Sequence, residues 1–177
     1  LLNNFDEALV EVEKILSLET EGTSTWINAQ KMLLLIYMNK REYLKADQIT
    51  TELLANQNYT KAVSAYKRQI ALIGVYLYIF RLMHIIPGYQ QDQKSQVKKY
   101  MNEYPEFSRD KSSMNIPIII AQLLEAIVLK REGEVIDRID ALKKYSSRYI
   151  TKSDSIRSNC FINMLLEVVR NNYHIVA

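Results

Sequence analysis

Turn-forming residues are scarce in this chain of 177 residues, which contains only 4 glycines and 3 prolines. Each makes up about 2% of the chain, against about 7% glycine and about 5% proline in average proteins. Sheet-rich folds need many turns, and turns draw on glycine, proline, asparagine and aspartate. Asparagine is plentiful, but it lies largely inside stretches with helical spacing. The shortage therefore favours an all-α protein.

Residues that build disulfides, metal sites and catalytic pairs are also few. The one cysteine, Cys160, cannot form an internal disulfide, and the two histidines, His84 and His174, are far apart in the sequence. The chain contains no Cys-x-x-Cys, His-x-x-x-His or His-Glu-x-x-His spacing and no glycine-rich phosphate loop. We therefore predict that the protein is not an enzyme and that it binds no metal or cofactor. We expect a cytoplasmic location, because the cysteine usage gives no sign of an oxidising compartment, with a cysteine-poor periplasmic domain as the alternative.

Long apolar runs are limited to residues 70–86, which are apolar except for Gly74, Arg81 and His84. A membrane-spanning helix needs about 20 mostly apolar residues. The run is shorter than that and carries a cation and a histidine toward one end. We predict a buried central helix, with a membrane segment or a partner-facing helix as alternatives, and a packed or helix-capping role for His84.

Apolar residues recur with a period close to 3.6 almost throughout, which predicts about eight helices joined by short connections. Helices joined in this way lie antiparallel, and we expect a single domain over residues 1–177. Pro87-Gly88 is predicted to end the fourth helix, and Gly133 is predicted to mark a turn. The first predicted helix begins at Phe5 and stops before Gly22. Thr23, Ser24 and Thr25 offer N-caps for the second, which runs to about Asn39. The next five cover residues 42–55, 60–86, 90–103, 118–131 and 134–149, and the last is capped by Ser153 or Asp154 and runs to about Arg170.

An internal repeat appears when the chain is shifted by 38 residues. Phe5-Asp-Glu-Ala8 then falls on Tyr43-Leu-Lys-Ala46, and Ile15-Leu16 falls on Leu53-Leu54. An alanine at this place lets a neighbouring helix come close, and the aromatic residue fills the gap between helical hairpins. Stacked hairpins require both.

This pattern resembles the tetratricopeptide repeat family. Residues 30–56 fit best, with the family's pattern matched by Leu33, Tyr37, Tyr43, Ala46, Leu53 and Leu54. The departures are Gln30 for tryptophan, Leu34 for glycine, Arg41 for the turn glycine, Asn58 for the closing proline, and Arg138 for the alanine in the 115–149 hairpin. Residues 5–18 resemble a second helix without its first, so we expect further repeats upstream.

The resemblance implies a right-handed array of antiparallel helix pairs, the α-solenoid of this family. It also implies a scaffold that binds a protein or peptide on its concave face, where side chains of each first helix line the groove. Exposed polar residues at such places are predicted to bind the partner: Asn28, Lys31, Lys67 and Arg68. The residues do not indicate which partner this is.

Two other functions remain open. The chain could be a sensory or regulatory helical domain of a larger signalling or transcription protein. It could also bind nucleic acid, although less readily, since its net charge is only +3. Lys144, Arg148 and Lys152 would form the basic face for such binding, because their i, i+4, i+8 spacing places them on one side of a continuous helix.

Two further side chains have specific expectations. Glu125 is the one charged residue in residues 118–129, a stretch that is otherwise apolar except for Gln122. We expect it to pair with a neighbouring lysine or arginine, or to contact a ligand. Cys160 lies in a stretch with apolar helical spacing and is predicted to be a buried, inert thiol.

Overall fold

The computed structural model describes residues 4–61, 63–88, 115–149 and 156–170, and these residues form helices and no strands. This confirms the all-α prediction. The predicted helix over residues 90–103 lies outside the described residues. The helices of the described residues are α1 (Phe5–Leu18), α2 (Ser24–Asn39), α3 (Tyr43–Ala55), α4 (Ser64–Leu82), α5 (Asn115–Val128), α6 (Glu132–Tyr149) and α7 (Ile156–Arg170), with a 3-10 turn at Gln57–Lys61.

The chain divides into two compact units, residues 1–104 and residues 105–177. Helices α1 to α4 belong to the first unit, and α5 to α7 belong to the second. The single repeat array over the whole chain stays a prediction.

In the first unit each helix packs on the next, and α2 also packs on α4. Helix α3 therefore contacts both α2 and α4. At the α3–α4 contact, a Cβ atom added to Gly74 would lie 3.6 Å from Cγ2 of Thr50. The buried hydroxyl of Thr50 donates to the carbonyl of Ala46 at 2.7 Å. The core consists of Val12, Ile27, Ala29, Leu33, Leu34, Ile36, Tyr37, Ala46, Leu53, Tyr59, Ile70, Ile73, Leu77 and Ile86.

The starts of α1 and α2 are set by local capping. The side-chain oxygen of Thr23 accepts a hydrogen bond from the backbone N–H of Trp26 at 3.2 Å, as predicted for this threonine. Asn4 caps α1 by accepting from the N–H of Glu7 at 3.4 Å. Gly22 lies between the two helices at a φ of 86°, which favours glycine, and a Cβ atom there would lie 2.6 Å from Cβ of Asn58.

Three helices end on a basic or imidazole residue in the left-handed conformation. Arg41 follows α2, His84 follows α4 and Lys130 follows α5, with φ angles of 60°, 59° and 55°. At each end, the N–H of the next residue donates to a carbonyl five positions earlier at 2.9 Å. This is the Schellman arrangement, in which glycine is usual at the left-handed position.

These ends correct two predictions. Pro87-Gly88 was expected to end α4, but α4 ends at Leu82 because His84 already reverses the chain. Gly133 was expected to mark a turn, but it is the second residue of α6, since the chain turns at Lys130. Neither helix end could therefore be predicted from the position of a glycine or proline. The predicted start of α4 at Thr60 was also wrong, because Thr60 belongs to the 3-10 turn Gln57–Lys61 and α4 begins at Ser64.

In the second unit α5 packs on α6, and α6 packs on α7. Glu125 is buried on α5. Cys160 is exposed, so the prediction of a buried thiol was wrong. The reason is the helical turn of about 100° per residue, which places Cys160 nearly opposite the buried Ile162. The core of this unit consists of Ile120, Leu123, Ala126, Val135, Ile139, Leu142, Ile162 and Leu165.

Candidate functional site

One side of α2 is left uncovered by its neighbours α1, α3 and α4. Asn28, Met32, Leu35 and Asn39 follow each other along it at intervals of four, three and four residues, so they share one helix face. We call these four residues the α2 face. Met32 is 44% exposed and Leu35 is 45% exposed. Large apolar side chains at the centre of an exposed face are candidates for contact with a partner.

The α2 face follows from an excess of apolar residues in the sequence. Residues 32–38 are all apolar, and consecutive residues of that number point in every direction around a helix. The three neighbouring helices cover Leu33, Leu34, Ile36 and Tyr37, and Met38 is partly buried against the core. Met32 and Leu35 remain exposed. An apolar run around the whole helix was therefore the sequence signal for this face. The prediction of polar partner-binding residues did not use it.

Lys31 flanks the α2 face on the side where α4 lies. Its Nζ atom is 5.3 Å from the centroid of the Tyr66 ring on α4, a distance at which a cation and a ring attract each other. Asn28, also predicted, belongs to the face itself, and its Nδ2 atom is 4.0 Å from Sδ of Met32. The Asn28 and Lys31 side chains are both half-buried, although they were predicted to be exposed. They lie one turn apart on α2, next to the exposed Met32 and Leu35.

The other two predicted residues, Lys67 and Arg68, are half-buried on α4. Successive residues of a helix point about 100° apart, so these two cannot share a face. The backbone carbonyl of Lys67 accepts the hydroxyl of the buried Tyr59 at 3.3 Å. The four predicted residues are thus spread over two adjacent helices, and they do not form one cluster.

Charge is distributed unevenly between the helices of the first unit. We call α2 and α4 the first helices, and α1 and α3 the second helices, after the places that the tetratricopeptide resemblance predicts for them. The first helices contain no aspartate or glutamate, and their charged residues are Lys31, Lys67, Arg68 and Arg81. The second helices contain Asp6, Glu7, Glu11, Glu13, Asp47 and Glu52 against Lys14 and Lys45.

Ion pairs near the ends of these helices shift several pKa values. The hydrogen bond from Lys40 to Asp6 raises the pKa of the lysine, with Glu42 adding to the effect. Lys45 donates to Glu42 at 2.6 Å and lowers the pKa of that carboxyl group. On α4, burial alone raises the pKa of Tyr76 to about 12. These groups keep their ordinary charge states near neutral pH, so none of them is prepared to accept or release a proton there.

The predicted basic face is described only in part. Lys144 is exposed on α6, and Arg148 belongs to the same helix. Lys152 lies outside the described residues, so the alignment of the three cations stays a prediction.

A search of the described ranges finds no group of three or more histidine, cysteine, aspartate or glutamate side chains that could hold a metal ion. None of the helices in those ranges is long and apolar enough to cross a membrane. No protein-family model matches the chain, and neither a curated protein nor a solved structure matches it significantly. Any assignment of function therefore depends on the residues and contacts of this chain alone.

Proposed function

We propose that this protein is an interaction scaffold in which the α2 face, together with the adjoining edge of α4, binds a peptide or a partner domain. The observation that carries the proposal is the exposure of Met32 and Leu35 at the centre of a face flanked by polar side chains. Binding surfaces commonly combine apolar anchors at the centre with a polar rim.

We propose further that the first unit is built from tetratricopeptide-like hairpins. Asp6 pairs with Lys40, and Asp47 pairs with Arg81, so each second helix is joined near its start to the end of the first helix that follows it. The left-handed conformation of Arg41, which stands in the place of the family's turn glycine, supports the same arrangement. In such an array the first helices face the ligand, as the α2 face would.

The proposal can be tested by selecting peptides from a random display library against the immobilised chain. The selected peptides should lose binding to a Leu35→Ser variant, because the serine removes an apolar anchor at the centre of the face. The matched control is Leu44→Ser on α3, where the leucine is 56% exposed but belongs to a second helix. We expect the control to bind as the unmodified chain does.

Two results would contradict the proposal. One is a library that yields no binder at all. The other is a set of peptides whose binding responds to Leu44→Ser as strongly as to Leu35→Ser, which would place the binding surface elsewhere. Far-ultraviolet circular dichroism of both variants would verify that they remain helical.

A further inference from the structure

We infer that the ligand of the α2 face is an acidic peptide segment that carries apolar anchor residues. This inference rests on the proposed function and names the chemistry of the partner. It follows from the apolar centre of the face, the cation beside it and the separation of charge between the first and second helices.

The apolar part of the inference comes from Met32 and Leu35. Both belong to the core-forming helix of the first unit, yet each keeps more than two fifths of its surface exposed. A ligand that covered them would bury apolar surface at about 25 cal/mol per Å². Leucine or phenylalanine side chains at helical or extended spacing could make such contacts, so the ligand needs at least one large apolar residue.

The acidic part comes from the charges around that centre. Lys31 borders the face, and neither α2 nor α4 contains a carboxylate that would repel an acidic ligand. The Tyr66 ring 5.3 Å away holds the ammonium group at the boundary between the two first helices. The charged residue of α2 that borders this face is a cation, so carboxylates of a ligand meet opposite charge at Lys31, and basic side chains meet like charge there. The partner's glutamate or aspartate should lie within about one helical turn of its apolar anchor.

The α1 helix of a second copy is a competing occupant with similar chemistry. It carries Asp6, Glu7 and Glu11 and exposes the apolar residues Val10 and Leu18. Self-association through this helix would give a head-to-tail contact and a mass that rises with concentration. Sedimentation can distinguish this occupant from a separate acidic peptide.

The experiment uses three fluorescein-labelled synthetic peptides that share a pair of leucines. Glutamates flank the leucines in the first peptide, glutamines in the second and lysines in the third. Fluorescence anisotropy with the full chain should give the highest affinity for the glutamate peptide. Raising the salt concentration from about 50 mM to about 200 mM should lower the affinity for that peptide most, because the shorter Debye length screens the attraction between opposite charges.

Charge reversal at Lys31 provides the decisive variant. We expect Lys31→Glu to lower the affinity for the glutamate peptide about fivefold or more and to raise the affinity for the lysine peptide. The affinity for the glutamine peptide should be nearly unchanged. Lys14→Glu on α1 is the matched control, since it reverses an exposed cation on a second helix, and it should leave all three affinities unchanged. The gain for the lysine peptide cannot result from a misfolded variant.

Three outcomes would overturn the inference. Equal affinity for the glutamate and glutamine peptides, with both lost in Leu35→Ser, would keep the proposed function but refute an acidic partner. A mass that rises with concentration and falls back in Leu35→Ser would show that a second copy covers the face. Failure of every peptide, including those selected from a library, would refute the proposed function as well.

Discussion

The first unit contains two junctions of the same kind, each between a second helix and the first helix that follows it. In each, an aspartate near the start of the second helix pairs with a cation at the end of the first helix. The pairs are Asp6 with Lys40 and Asp47 with Arg81. The earlier pair is open to solvent, with the Asp6 side chain 85% exposed. The later pair is enclosed, and its side chains are 16% and 10% exposed.

The repeated alanine shows the same contrast. Ala8 on α1 is exposed, whereas Ala46 on α3 has no exposed surface. Helix α3 packs against both α2 and α4. In the described residues, the helix that packs extensively against α1 is α2. The comparison shows that the alanine and the ion pair of the aspartate are enclosed only at the helix that has neighbours on both sides.

The largest difference between the junctions should appear when the aspartates are removed. Asp47→Ala leaves the guanidinium of Arg81 in an enclosed site without this carboxylate, and it should lower the free energy of unfolding by about 3 kcal/mol. Asp6→Ala removes a solvent-exposed pair and should cause no measurable loss. Urea unfolding followed by fluorescence of Trp26, the one tryptophan, reports on this unit. Equal effects of the two variants would refute the contrast.

The alanine positions provide the next test. Ala46→Leu adds three carbon atoms where the helix surfaces leave no space, and it should destabilise the unit by about 2 kcal/mol. The same change at Ala8 meets solvent and should be neutral. Urea titrations of both variants would measure this. A destabilising Ala8→Leu would indicate that α1 is packed more closely than its exposure shows.

Alkaline pH should destabilise the first unit through a tyrosine of α4. Burial raises the pKa of Tyr76 to about 12. The unfolded tyrosine ionises near pH 10 and the folded one about two units higher. Stability is therefore complete below pH 10 and falls by about 2 to 3 kcal/mol as the pH rises to 12. The Tyr76→Phe variant should not show this loss of stability. The measurement is the difference between the free energies of unfolding of the variant and the unmodified chain, taken from urea titrations at each pH.

The smallest expected effect concerns the helix ends that the two junctions share. Arg41→Gly and His84→Gly should each stabilise the unit by about 0.5 to 1 kcal/mol, because glycine adopts the left-handed conformation without steric strain. At Arg41 the lost charge at the helix end offsets a few tenths of this gain. Thermal unfolding by circular dichroism would measure the gain. A lower melting temperature for Arg41→Gly would mean that the arginine side chain makes contacts that outweigh the strain.

Local signals explain which parts of the fold could be predicted from sequence. The start of α2 was predicted because Thr23 supplies its own cap, and α1 and α3 were predicted because their apolar spacing is regular. The end of α4 was not, since His84 is not a residue that normally signals a left-handed stop. Such a stop depends on the two hydrogen bonds that the chain forms after it has turned.

The candidate site was predicted less well than the fold. Charged and amide side chains were chosen as exposed residues, and Lys31 and Asn28 do lie at the α2 face. Met32 and Leu35 were missed, because a methionine or leucine within an apolar run fits a core position equally well. Only the number and direction of neighbouring helices decide which apolar residues remain outside, and that information is not local in sequence.

The separation of charge between the helices also gives the first unit an electric dipole. Residues 1–88 contain equal numbers of basic and acidic side chains, so their formal charge is zero. The cations of α2 and α4 and the carboxylates of α1 and α3 nevertheless occupy different helices. Such a dipole orients the unit as it approaches another charged molecule within about 10 Å, the Debye length at 0.1 M salt. A domain with no net charge can therefore present the same side first in most encounters.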